Sequence, residues 1–351
     1  MPESNKSKSS AIKAARERIR LNMSQFGDIE ALAREIVNGK VEALARAITL
    51  IESNKDEDRP LAHELLKQVR NNSKKIESTR YGVTGIPGVG KSTFIEKLGL
   101  EFIENGDKVA VLAVDPSSQK TGGSILGDKT RMEKLSVSDN AFIRPSPASD
   151  TLGGVARATM EAILLCEAAG YNKIIVETVG VGQSETSVRE MVDVFCLLLI
   201  GGAGDEVQGI KRGIVEMADI IIVHKADGES ISLCNDTASA YKSSLHLLPN
   251  PKGGNIVEII TASSITGDGH DEFKQKVESL VTFWKENGHF DMQRTSQRID
   301  RMKTHVRDLI MFNSLASNKS KEYWDELTEG VENGELSAFT AAWSWVNESN
   351  K

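Results

Sequence analysis

Residues 85–92 read Gly85-Ile86-Pro87-Gly88-Val89-Gly90-Lys91-Ser92, and Thr93 follows. This is a complete phosphate-binding pattern of the form G-x-x-x-x-G-K-[ST]. The glycines permit backbone conformations that turn several N–H groups toward one anion. The lysine supplies a charge for the β- and γ-phosphates, and the serine hydroxyl can bind Mg²⁺. We therefore predict that all nine residues bind a nucleotide and that Lys91 also serves catalysis.

The sequence on either side of this loop separates it from a chance glycine-rich turn. Residues 80–84 can form a short strand before the loop. Phe94, Ile95 and Leu98 recur at helical spacing after it, so bound phosphates would meet a helix N-terminus. A strand, a glycine loop and a helix in this order favour a nucleotide site.

Residues 80–285 alternate between apolar strand candidates and helical segments. The strand candidates are short, nearly continuous and rich in Val and Ile, as expected of parallel strands that are covered on both faces. We therefore predict an α/β fold with a doubly wound, mostly parallel sheet. After residues 80–84, the candidates are 109–114, 141–143, 173–176, 194–200, 220–223 and 256–260.

Helical extensions flank this region on both sides. We predict a disordered tail at 1–10, a helical region at 11–75, the nucleotide-binding domain at 76–288 and a helical arm at 289–351. An apolar stripe in the arm must pack on the domain or on another subunit, and we favour another subunit. The stripe consists of Leu336, Phe339, Trp343 and Val346.

The composition limits the classes of partner. The 351-residue chain has a formal charge of -7 and a pI of about 5.6, which argues against nucleic acid as the main partner. The N-terminus has no hydrophobic signal core, and no run of ~18 apolar residues predicts a membrane span. Cys166, Cys196 and Cys234 lie far apart in apolar surroundings, so we expect buried thiols in a reducing, cytoplasmic compartment.

Two acidic residues end apolar strands downstream of the phosphate loop. Glu177 begins Glu177-Thr178-Val179-Gly180, which has the form of a D-x-x-G turn whose glycine N–H approaches the γ-phosphate. Asp115 follows the strand candidate 109–114. Because the carboxyl ends of parallel strands share one edge of the sheet, we predict that Ser92, Asp115 and Glu177 bind Mg²⁺.

The base is read from His224-Lys225-Ala226-Asp227, which closes the strand candidate 220–223. GTPases usually carry Asn-Lys-x-Asp here, with an aspartate that accepts two hydrogen bonds from guanine and a lysine stem that covers the ring. His224 replaces the asparagine, and a ring N–H can hold the loop in its place. Ser263 and Ser264 fall where a further base-contacting loop belongs. These residues predict a guanine nucleotide, GTP or GDP.

Longer stretches resemble one family. The chain is similar to the MeaB/ArgK family of G3E-class P-loop GTPases, which includes the human methylmalonic aciduria type A protein. The resemblance covers most of residues 40–300 and is highly specific. It is carried by residues 113–118, 121–132, 144–147, 151–154, 177–185 and 202–211.

The resemblance implies a GTPase chaperone of an adenosylcobalamin-dependent mutase, most readily methylmalonyl-CoA mutase, which gates cofactor delivery and protects the enzyme. It adds Asp128 to the magnesium region and implies a homodimer through C-terminal helices. It also implies a third switch at 200–211 that ends at Lys211, which we assign to catalysis. Two departures are His224 in place of asparagine and Gly201 where a proline is common.

Three other functions were weighed. A nickel or cobalt metallochaperone GTPase would carry Cys/His clusters, but none of the six histidines is paired at ligand spacing. A protein kinase would show an H-R-D catalytic loop, which is absent from the sequence. A nucleotide-gated scaffold with negligible turnover stays open, because sequence gives no hydrolysis rate.

Overall fold

The computed structural model describes residues 26–74, 76–114, 132–145, 152–178, 184–202, 212–245, 253–254, 256–314 and 318–348. Four predicted site residues lie outside these ranges: Asp115, Asp128, Gly180 and Lys211. The predicted tail at 1–10 also lies outside them.

The centre of the fold is a seven-stranded parallel sheet with the order β3-β2-β4-β1-β5-β6-β7. In β2, β5 and β6 nearly every residue is buried, which accounts for their continuous apolar runs. The predicted sheet is confirmed. Its strands are β1 (Thr79–Gly85), β2 (Val109–Val114), β3 (Ala141–Arg144), β4 (Lys173–Thr178), β5 (Val194–Ile200), β6 (Ile220–His224) and β7 (Glu258–Ala262).

Thirteen α-helices are described within these ranges. They are α1 (Ile29–Val37), α2 (Val41–Glu52), α3 (Arg59–Asn72), α4 (Lys91–Glu104), α5 (Glu133–Ser136), α6 (Leu152–Ala168), α7 (Ser184–Arg189), α8 (Arg212–Met217), α9 (Ile231–Leu245), α10 (His270–Glu286), α11 (His289–Ser314), α12 (Asn318–Glu332) and α13 (Ala338–Glu348). None of the described helices has both the length and the apolar composition needed to cross a bilayer.

The sheet separates two main apolar cores. On one face, α4 and α10 bury Phe94, Leu98, Phe273 and Trp284 against it. On the other face lie α1–α3, α6 and α7. Helices on both faces make the sheet doubly wound, as predicted.

The N-terminal helices belong to the second of these cores. Leu44, Ile48 and Leu65 are fully buried in the same cluster as Ile163 of α6 and Val176 of β4. The apolar side chains that recur at helical spacing therefore pack against the nucleotide-binding domain. The helix α1 begins at an N-cap aspartate, Asp28, which accepts a hydrogen bond from the Glu30 N–H at 3.0 Å.

The chain divides into two compact units, with the first ending at Phe290 and the second beginning at Asp291. In the second unit, Leu327, Ala341 and Trp345 form a small core, against which Leu336 is partly buried. Phe339, Trp343 and Val346 are exposed by 76%, 64% and 56%. The predicted stripe is therefore wrong at Leu336, which turns inward, and right in leaving three apolar side chains on one exposed surface.

Strand boundaries follow hydrogen bonding more than composition. The ranges predicted for β2 and β5 are those observed. The predicted start of β7 at Ile256 is wrong, because pairing with β6 begins at Glu258 opposite Ile220 and leaves Ile256 82% exposed.

The three cysteines are buried free thiols, as expected, and burial raises the pKa of each.

Candidate nucleotide site

The phosphate loop lies at the point where the strand order of the sheet reverses. Strand β1 sits between β4 and β5, and the helix that follows β1 packs on the opposite face from the helix that follows β4. In an open α/β sheet, this switch point leaves a crevice at the carboxyl ends of the strands, where ligands bind.

The backbone of the loop has the positive φ angles that its glycines permit. Gly88 has φ 81° and Gly90 has φ 99°, and Gly90 is the N-cap of α4. The Lys91 ammonium lies across the loop and donates to the carbonyl oxygens of Gly85 at 2.8 Å and Ile86 at 3.3 Å. The loop is therefore a preformed cradle at a helix N-terminus, with a cation beside it.

A hydroxyl and a carboxylate meet at the edge of this cradle. The Ser92 hydroxyl donates to Glu177 Oε1 at 3.2 Å. Glu177 stands near the end of β4, in register with Val83 of β1 and Ala113 of β2. The strand ends are tied by the Thr178 hydroxyl, which donates to the Thr84 hydroxyl at 2.8 Å. Two hard oxygen donors in contact fit Mg²⁺.

The segment predicted to recognise the base has a strained backbone at Lys225. Lys225 has φ 61°, the one positive φ among the described non-glycine residues. Its ammonium donates to the Gly88 carbonyl at 2.8 Å, so the lysine stem spans from β6 to the phosphate loop. Backbone strain of this kind in a residue other than glycine persists only where the surrounding structure fixes it.

The carboxylate of Asp227 is oriented by a buried serine. The Ser263 hydroxyl donates to Asp227 Oδ2 at 2.5 Å, and the backbone N–H of Ala226 donates to the Ala262 carbonyl at 3.1 Å. Ser263 is fully buried just beyond β7. One oxygen of Asp227 is thus fixed from inside the protein.

His224 joins the base segment to the phosphate loop. Its Nδ1 lies 2.9 Å from the Val89 carbonyl, and its Nε2 lies 2.7 Å from the Ser264 hydroxyl. Because a carbonyl only accepts, Nδ1 carries the proton. Burial is the main cause that lowers the pKa of His224. This geometry is the one that the hypothesis of a loop-holding ring N–H requires.

Gly90 makes this approach possible. A Cβ at Gly90 would lie 2.7 Å from His224 Nδ1, and the φ of 99° is itself unfavourable for an L side chain. The second glycine of the phosphate pattern thus leaves the space that the His224 ring occupies.

The departure at Gly201 also has a structural partner. A Cβ at Gly201 would lie 2.7 Å from Cys234 Sγ and 2.8 Å from the Cys234 backbone nitrogen, so a proline ring does not fit beside α9 in this arrangement. The N–H of Gly202 donates to the Thr237 hydroxyl at 3.0 Å. The segment that leads into the predicted third switch is therefore anchored on α9.

The described site residues converge on one edge of the sheet. They comprise Gly85–Thr93 after β1, Glu177 in β4, His224, Lys225 and Asp227 at the end of β6, and Ser263 and Ser264 after β7. Sequence analysis missed His270, the first residue of α10, whose Nε2 lies 3.3 Å from the Ser264 hydroxyl. A lone histidine after a glycine gives no pattern that would have identified it.

Comparison with known proteins decides the family. The sequence model described as methylmalonyl Co-A mutase-associated GTPase MeaB matches residues 44–319. This chain belongs to the MeaB family. A putative GTPase of Caulobacter vibrioides is 45% identical over 315 residues, covering 90% of this chain and 96% of that protein. The mitochondrial methylmalonic aciduria type A homolog of Caenorhabditis elegans is 45% identical, over 81% of this chain and 73% of that protein.

A solved structure agrees with the fold. The crystal structure of a LAO/AO transport system kinase superposes with a TM-score of 0.69 at 33% identity, covering 92% of this chain and 98% of that one. The family and the fold make this MeaB-family protein a P-loop GTPase, an enzyme that binds and hydrolyses GTP.

Proposed function

We propose that this MeaB-family GTPase uses Mg²⁺ and is a chaperone of an adenosylcobalamin-dependent methylmalonyl-CoA mutase, whose cofactor loading it gates and which it protects. The observation that carries the magnesium part is the contact between Ser92 and Glu177. The family description, which names association with this mutase, supports the partner.

The residues we assign to the metal are Ser92 and Glu177, together with Asp115 and Asp128 from the sequence. All four offer oxygen, the ligand that Mg²⁺ prefers. When bound, the ion would neutralise charge on the β- and γ-phosphates. Among the described residues, no group of three His, Cys, Asp or Glu side chains is arranged to hold a metal. Mg²⁺ usually takes only one or two carboxylates when nucleotide phosphates supply further oxygens, so a larger cluster is not needed here.

The protein's own groups account for the positioning of the nucleotide. Lys91, now bonded to loop carbonyls, would turn its charge to the β- and γ-phosphates within the cradle of N–H groups. Asp227 would accept two hydrogen bonds from guanine while the Lys225 stem covers the ring. We assign Gly180 to contact with the γ-phosphate and Lys211 to the ordering of charge near it.

We also propose that the protein is a homodimer through its second unit. Along α11, Met292, Ile299, Met302, Val306 and Leu309 are all exposed by 46–62%. Their spacings of 7, 3, 4 and 3 residues follow the a and d positions of a heptad repeat, so they form one apolar seam. A seam of this kind pairs with a second copy of itself, and Phe339, Trp343 and Val346 of α13 offer a further apolar surface.

A metallochaperone function is the alternative within the class. It lacks support, because a nickel or cobalt site needs a cluster of Cys or His ligands, and the described residues contain no such cluster. A nucleotide-gated scaffold with negligible turnover remains the second candidate. We place the protein in the cytoplasm, which fits its three free thiols and its bacterial relatives.

The test is to measure GTP turnover by the purified protein with and without methylmalonyl-CoA mutase, and to follow adenosylcobalamin transfer to the apo-mutase by absorbance. We expect slow turnover alone, acceleration with the mutase, and transfer that depends on the nucleotide. Turnover that does not change with the mutase, together with transfer that does not depend on the nucleotide, would contradict the chaperone function. Transfer that depends on the nucleotide without turnover would favour the scaffold.

A further inference from the structure

Two buried histidines and a partly buried serine connect the phosphate loop to the start of α10. His224 contacts the Val89 carbonyl through Nδ1 and the Ser264 hydroxyl through Nε2. The same hydroxyl lies 3.3 Å from Nε2 of His270. His224 and His270 are exposed by only 3% and 1%, and the contact with Val89 is buried, whereas the two contacts with Ser264 are partly buried.

One assignment of the protons gives each of these three hydrogen bonds a donor and an acceptor. The Val89 carbonyl fixes the proton of His224 on Nδ1, which leaves a lone pair on Nε2 of the neutral ring. Ser264 must then donate its single proton to His224, and its oxygen accepts from Nε2–H of His270. In this pattern His270 orients the Ser264 hydroxyl, and Ser264 in turn supports the tautomer of His224 that Val89 selects.

The position of His270 is fixed independently of this contact. Its ring packs on Phe94 with centroids 4.9 Å apart, and Phe94 in turn meets the His224 ring edge-on at 5.8 Å. His270 follows Gly269, the N-cap of α10, whose Cβ would lie 2.1 Å from the Thr261 carbonyl. His270 therefore presents Nε2 to Ser264 from a rigid helix start.

We propose that His270 is a positioning residue for guanine nucleotide binding, which acts by holding Ser264 and His224 in the one hydrogen-bonding pattern that fixes the phosphate loop at Val89. His270 does not touch the nucleotide. Its effect passes through Ser264, which contacts His224. The preceding residue, Ser263, orients Asp227. The inference rests on the proposed assignment of this edge as the guanine site and adds a residue to it.

Burial is the main cause that lowers the pKa of His270 and favours its neutral state. Glu101 Oε2 lies 3.7 Å from Nδ1 and raises the pKa, whereas burial, the strongest influence, lowers it. Lys97, Lys274 and His224 also lower it, and the result is a pKa of about 4. Asp271, the next residue, is paired with Lys274 at 2.8 Å. In the neutral ring, donation to Ser264 requires the proton on Nε2, and the buried Nδ1 then has no hydrogen-bond partner among the described residues.

The experiment is a double-mutant cycle on the full-length protein, read out as the dissociation constant of fluorescent mant-GDP. His270→Leu removes the N–H and keeps an apolar side chain in place. His270→Gln returns an amide N–H at the position of Nε2. His224→Asn retains a donor for Val89 and makes the serine and His270 unnecessary.

We expect His270→Leu to weaken mant-GDP binding about fivefold, as for one lost buried hydrogen bond, and His270→Gln to stay within about twofold of wild type. In the His224→Asn background, His270→Leu should have no further effect. Melting temperatures are measured alongside, so a variant that does not fold is recognised, and the His270→Gln comparison then carries the test.

The outcomes separate the two levels of the argument. Wild-type protein that melts cooperatively but does not bind mant-GDP would contradict the proposed guanine site. Wild-type binding with no loss in His270→Leu, or an equal loss in both His224 backgrounds, would overturn the positioning role alone. Failure of His270→Gln to restore affinity would likewise show that the ring only fills space.

Discussion

The Ser263 hydroxyl lies 2.5 Å from Asp227 Oδ2, so a buried serine fixes the carboxylate that we assign to the guanine base. The two residues come from different strands, since Asp227 follows β6 and Ser263 follows β7. Register between these strands, with His224 opposite Ala262, is what brings them together.

Asp227→Asn should weaken GTP and GDP binding about 100-fold, because two charge-assisted hydrogen bonds to guanine are lost and an amide donor faces guanine donors. Xanthine nucleotides, which offer an acceptor there, should gain relative to guanine. Competition with GTP, XTP and ATP measures this. Asp236→Asn on the exposed side of α9 is the control and should leave the preference unchanged. A mutant of Asp227 that still prefers GTP would move base recognition elsewhere.

Lys91→Ala should lower nucleotide affinity by about 100-fold while the fold is retained, because hydrogen bonds between a cation and phosphate are lost. Calorimetry with GTP and GDP measures the affinity. Lys97→Ala serves as control, since Lys97 lies on the same helix and pairs with Glu101 at 3.3 Å. Unchanged affinity in folded Lys91→Ala would remove the lysine from the site.

The pH profile of GDP affinity should report the charge of His224. Nε2 must accept from Ser264, so the neutral ring is the binding form, and burial lowers its pKa below 6.5. Affinity should therefore stay level as pH falls from 8 to 6.5 and decline only on the acid side, as the ring gains a proton. His224→Asn should bind GDP as well as wild type or better at pH 7.5 and lose this acid decline. An unchanged profile in His224→Asn would assign the decline to another group.

Val306→Glu and Leu309→Glu should each convert the dimer to a monomer, because a carboxylate placed in an apolar seam is desolvated without a partner. Light scattering after size exclusion measures the mass. Arg307→Glu, at an exposed position outside the seam, reverses a charge and should leave the dimer intact. A wild-type monomer, or dimers in all variants, would place the contact elsewhere.

Lys211→Ala should leave slow basal GTP hydrolysis nearly unchanged and lose most of the stimulation by the mutase. The physical reason is that a charge placed near the transferred phosphate can change the rate by about 10³ to 10⁵, and the partner must order or supply it. Lys242→Ala, on the exposed face of α9, is the control. Equal stimulation of Lys211→Ala and wild type at saturating mutase would show that this residue does not carry the signal.

Local pattern was enough for the sheet and for most of the candidate site residues that the fold brings to one edge. The runs at β2 and β5 are apolar throughout because both faces are covered, and their bounds follow from composition. Short motifs predict the phosphate loop, Glu177 and Asp227. Each motif lies within one strand and the turn that follows it. The start of β7 was missed because pairing with β6, and no local property of Ile256, sets where the strand begins.

The sequence by itself determined the parallel α/β architecture, the phosphate cradle and the guanine-type segment, because each is encoded by short-range periodicity or by a contiguous motif. Tertiary structure alone decided that His224 holds Val89, that Ser264 and His270 stand behind it, and that Gly201 meets Cys234. These residues are separated by up to 135 positions in the chain and meet only through strand register and helix packing. Such long-range contacts leave no periodic trace in a single sequence.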